Sequence, residues 1–106
     1  MGKYMLQVSY TAEGARGLIK EGASSRIAYV TDFAASLGAT VESFYFALGD
    51  DDAIVILDAA DDSVVAAASL AVGASGGASV RTTKLLTGAE ADAAVAKVGP
   101  YRAPGA

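Results

Sequence analysis

The chain has 106 residues, 53% hydrophobic and 19% charged, with eight Lys+Arg against twelve Asp+Glu for a formal charge of −4. That is enough apolar material for one packed domain, and it excludes a disordered chain. The absence of His and Cys excludes Ser-His-Asp chemistry, thiol nucleophiles, disulfides and thiolate metal sites.

Residues 3–10 (KYMLQVSY) alternate, with Tyr4, Leu6, Val8 and Tyr10 on one side and Met5, Gln7 and Ser9 on the other. This pattern predicts a strand with one apolar face. Thr11 and Glu13 suit a helix start, which Gly14, Gly17 and Gly22 weaken by about 1 kcal/mol each relative to Ala. A better helix follows Ser24 or Ser25, where Ile27, Val30, Phe33, Ala34 and Leu37 recur at helical spacing and Gly38 suits the stop.

Residues 40–48 (TVESFYFAL) alternate again. Phe44, Phe46 and Leu48 fall on one face, and Val41, Ser43, Tyr45 and Ala47 on the other. Gly49-Asp50-Asp51-Asp52 reads as a tight turn into residues 53–57 (AIVIL), a strand apolar on both sides, so the two strands form a hairpin. Asp61, Asp62 and Ser63 offer N-caps to an Ala-rich helix that runs to about Val72, and the Gly73–Gly77 cluster ends it. Residues 78–87 make a last strand, Ala89 to Val98 a short helix, and residues 99–106 a Pro/Gly tail.

The expected architecture is therefore α+β: a ferredoxin-like β-α-β-β-α-β domain over residues 1–98, with an antiparallel sheet and an extra C-terminal helix. The helices suffice to cover one sheet face. The other face carries apolar residues too, so a second copy of the chain is the expected cover, giving a homodimer or higher homo-oligomer. The basic residues are scattered singly, and nucleic acid is not an expected partner. The first ten residues lack a signal-peptide apolar core, and no run approaches the ~20 apolar residues that span a bilayer. No membrane association is expected, and the expected location is the cytoplasm.

The segments KYMLQVSYTAEGARGLIKEG, SLGATVESFYFALGDDDAIVI and ASGGASVRTTKLLT resemble the GYD-domain family of small bacterial and archaeal proteins. The Gly-Tyr-Asp element that names the family corresponds here to the hairpin-turn motif Gly49, Asp51 and Asp52, with Asp51 where the family usually shows Tyr. The resemblance implies a fold similar to dimeric α+β barrel proteins and carries no established activity.

Two functional readings follow. One is a self-associating binding or structural module. The other is a small-molecule binder or cofactor-free enzyme of the barrel type: an oxygenase, an isomerase or a degradative accessory. In the second, Tyr10, Arg26, Glu42 and Tyr45 would surround a small apolar ligand between sheet and helices, with Arg26 as an anion clamp and Glu42 or a Tyr as proton carrier. The plainer reading gives the tyrosines to core or interface packing, and Arg26 to a salt bridge with Glu42 or an acid at the interface, or to solvent. Asp50, Asp51 and Asp52 would hold Mg²⁺ or Ca²⁺ through carboxylate oxygens, or simply favour the turn while solvated. The turn reading is preferred, with no metal and no cofactor expected. The glycine clusters fit no phosphate-loop pattern.

Overall fold

The computed structural model describes residues 2–106; Met1, the first residue of the expected domain, lies outside them. The chain forms β1 (Gly2–Tyr10), α1 (Ala12–Glu21), α2 (Ala23–Ser36), β2 (Thr40–Phe46), β3 (Ala53–Ala59), α3 (Asp62–Ala74), β4 (Ala78–Leu85) and α4 (Gly88–Ala96). The sheet order is β2-β3-β1-β4, with every neighbouring pair antiparallel. This is the expected ferredoxin-like α+β arrangement, with the first crossover split into two helices at Gly22. That glycine has φ +95°, a conformation that strains any residue with a Cβ.

The alternation in β1 and β3 decides the layers. Tyr4, Leu6, Val55 and Leu57 are buried with Ala34 of α2 and Val65 of α3. α2 packs on β2, and α3 on β3 and β4. Met5, Gln7, Ile54 and Ile56 therefore point to the opposite side of the sheet, which none of these helices covers.

The caps of α1 and α3 follow the sequence, whereas α2 starts at Ala23 behind Gly22 with no side-chain cap, ahead of the start expected after Ser24 or Ser25. The Thr11 hydroxyl accepts the Gly14 amide at 3.1 Å, and Asp61 accepts the amides of Ser63 and Val64. Gly38, at φ +85°, closes α2, with its amide on the Ala35 carbonyl and the next amide on that of Ala34.

Two expectations are corrected. Val41 lies on the same side as Phe44, because a β-bulge shifts the register between Val41 and Ser43; Val41 pairs with Leu57 and Ser43 with Ile56. One extra residue, Glu42, reverses the alternation upstream of it. The hairpin connection is also wider than a tight turn: it spans residues 47–52 and is closed by the Ala47 amide on the Asp52 carbonyl at 2.8 Å.

Candidate functional site

Between the sheet and the helices lies an apolar cavity of about 70 Å³. Leu6, Val8, Val30, Phe33, Phe44 and Val80 form much of its wall. It exists because small residues, among them Ala34, Ala39, Ala68 and Ala78, occupy positions where larger side chains would fill the layer. Tyr10 at the end of β1 and Arg26 in the first turn of α2 stand on its border, together with Val72 and Ala78. The same four residues also line a second, more polar cavity of about 170 Å³, whose further walls include Gly14, Gly17, Leu18 and Glu21. Tyr10 and Arg26 thus stand where an apolar chamber meets a polar antechamber.

The Arg26 guanidinium lies 5.0 Å from the centre of the Tyr29 ring and 3.7 Å from the Glu21 carboxylate. That separation is too long for a hydrogen bond. Its ion partner is Glu21; of the alternatives raised from the sequence, the bridge to Glu42 does not form. Burial raises the Tyr10 phenol above its ordinary pKa, and nearby Arg26 partly opposes the rise. The phenol accordingly holds its proton at neutral pH.

Glu42 and Tyr45 do not join this group. Glu42 accepts from Lys3 at 2.6 Å, and Lys3 also reaches Asp58 at 3.1 Å across the uncovered sheet face. The two acceptors raise the Lys3 pKa. One oxygen of Asp58, Oδ1, is buried there with no hydrogen-bond partner among the described residues. Tyr45 pairs with Ile54 on the same face and is 72% exposed.

The hairpin motif has a structural occupation. Asp51 is buried, takes the Arg81 guanidinium on both oxygens at 2.8 and 2.9 Å, and accepts from Gln7 at 2.9 Å. This contact raises the Arg81 pKa further. Asp52 accepts the Tyr10 amide through its side chain, while its own amide donates to the Val8 carbonyl, both at 2.8 Å. The hairpin is thereby tied to the end of β1. Gly49 sits in the same connection, with open space where a Cβ would be. Among the described residues no group of His, Cys, Asp or Glu side chains is placed to hold a metal ion. Sequence reasoning missed the Asp51–Arg81–Gln7 cluster, since three elements meet there and no local spacing records it.

The fold and these sites define a small ferredoxin-like α+β domain with one helix-covered and one uncovered sheet face. The GYD domain matches residues 4–95, and the chain belongs to that family. Comparison with curated proteins and with solved structures gave no match. Among the described residues no helix is long and apolar enough to cross a membrane.

Proposed function

We propose that this chain is a self-associating module of the cytoplasm, paired through its uncovered sheet face in the manner of dimeric α+β barrels. One observation carries the reading. Met5, Ile54, Ile56 and Tyr45 form a contiguous apolar strip: Ile56 sits between Met5 and Ser43, and Ile54 between Gln7 and Tyr45. A sheet with apolar residues on both faces needs cover on both, and α1, α2 and α3 of the chain are spent on one. Two such faces stacked about 10 Å apart would bury both strips.

The surroundings of the strip suit a copy of the same chain. Lys3 with Glu42 and Asp58 lies at one end, and Arg81 with Asp51 at the other, so both cations on this face are already paired within the chain. A partner face need not supply anions to these cations, and a second identical face meets that condition.

Light scattering at micromolar concentration is expected to give a mass of two or more chains. Ile56→Lys is expected to give single chains with unchanged secondary structure, because the lysine would be trapped unpaired between sheets. A single-chain mass for the unmodified protein, or an Ile56→Lys variant that stays assembled, overturns the reading.

A further inference from the structure

Beyond pairing, and independent of it, we infer that the chamber under α2 is a binding site for a small, branched apolar molecule with a neutral carbonyl-type oxygen at one end. The wall is the first argument. Native interiors contain few voids larger than a water molecule, yet here a partly open cleft of about 70 Å³ separates sheet from helices. Val30, Phe33, Leu37, Val72 and Val80 are left only partly buried around it. An apolar guest of four or five carbons would complete contacts that these side chains now lack.

The second argument is the polarity at the border. Tyr10 and Arg26 bring hydrogen-bond donors to the junction of the two cavities, and neither side chain makes a hydrogen bond among the described residues. Solvent reaches both donors, and at the edge of an otherwise apolar wall an acceptor oxygen on the guest can take them in place of water.

Neighbouring carboxylates set the charge of that oxygen. Glu21 faces Arg26 from α1, and Asp52 lies close to Tyr10 from the hairpin. With one carboxylate beside the guanidinium and another acting on the phenol, an anion is disfavoured, so a ketone-like oxygen suits the site better than a carboxylate. The size follows from the volumes: the apolar body fits the inner chamber, and the oxygen reaches the antechamber.

The test is methyl and amide NMR titration of the full chain with three compounds that share an isobutyl group: isobutyl methyl ketone, isovalerate and isohexane. The ketone is expected to shift the methyls of Val8, Val30 and Val72 and to bind about five- to tenfold more tightly than isohexane, the advantage of a hydrogen bond. Arg26→Met and Tyr10→Phe are each expected to shrink that advantage. Tyr10→Phe, which keeps the ring, serves if Arg26→Met does not fold. The inference is overturned if no compound shifts the lining methyls, if isohexane equals the ketone, if isovalerate exceeds it, or if folded variants retain the full preference. None of these outcomes depends on the assembly state, so failure here and failure of pairing are read separately.

Discussion

Two glycines of α1 look alike in the sequence and differ in what surrounds them. A Cβ on Gly14 would stand 1.8 Å from the Gly77 carbonyl oxygen, where backbone meets backbone and neither side yields cheaply. That approach is held by the Thr11 amide on the Gly77 carbonyl at 3.0 Å and by the Thr11 hydroxyl on Gly76 at 2.9 Å. A Cβ on Gly17 meets open space. Gly17→Ala is therefore expected to stabilise the protein by up to about 1 kcal/mol, through helix propensity alone. Gly14→Ala should lower the thermal midpoint, because α1 must lift from the α3–β4 connection. Thermal unfolding of the two variants side by side checks this, and equal shifts would contradict it. Tyr4 carries the pH prediction. Its hydroxyl donates to Asp62, and this bond, with burial, pushes its pKa to about 12 from an ordinary 10.0. The folded state holds the proton longer than the unfolded chain, so this contribution is complete below pH 10 and is lost as pH rises towards 12. Urea unfolding between those limits should show a steeper loss in the unmodified protein than in Tyr4→Phe. The Thr11, Asp61 and Gly38 caps were legible in the sequence because caps are local. The Gly14 approach and the Asp51–Arg81 pair were not, because their partners lie 63 and 30 residues away.

At the scale of elements, strand parity carried most of the fold and also produced its main error. In β1 and β3 the alternation is unbroken; in β1 the buried side is the one the sequence indicates, while β3, apolar on both sides, takes its parity from pairing with β1. In β2 the extra residue Glu42 flips Val41 to the helix side, and a single-residue insertion leaves no signature in a run of strand formers. The same logic explains why half of the expected site came apart. Parity places Tyr45 opposite Phe44, but which of those sides faces the helices depends on pairing with β3. Once Phe44 pairs with Val55 on the core side, Tyr45 must face away from Tyr10 and Arg26. β3 itself offers a direct check. Leu57 is 3% exposed among core side chains, whereas Ile56 is partly exposed on the uncovered face. Leu57→Ala should cost about 2–5 kcal/mol at any protein concentration. If the chains pair as proposed, Ile56→Ala should cost more at high concentration than on dilution, because pairing would supply part of its burial. Urea curves at two protein concentrations separate the two classes. Equal concentration dependence would mean that the uncovered face contributes nothing between copies.

The whole molecule is longer than its chain length suggests. Its radius of gyration is 16.9 Å, against about 13 Å for a compact chain of 100 residues. The longest dimension, 57 Å, exceeds the next by 25 Å. The excess lies with α4 and the residues after it, since α4 makes no substantial contact with another element among those described. A capping box closes its start, with the Thr87 hydroxyl accepting the Glu90 amide and the Glu90 carboxylate accepting the Thr87 amide. These bonds hold the Glu90 carboxyl below its ordinary pKa. Yet helices shorter than about 12–15 residues are marginal in water without a surface to lie on. α4 has nine residues and leaves Val95, Val98 and Tyr101 on and beyond it exposed. If pairing supplies the missing surface, the order of α4 depends on assembly, whereas that of the sheet does not. Amide exchange over residues 88–96 should then be slow at concentrations where the chains pair. In Ile56→Lys it should be fast, while β1 and β3 remain protected in both. Deleting residues 87–106 should leave the sheet folded, since no core residue is lost, and should weaken the pair. Fast exchange of α4 in the paired state, or an assembly indifferent to the deletion, would show that this segment stands free of the partner as well as of its own body.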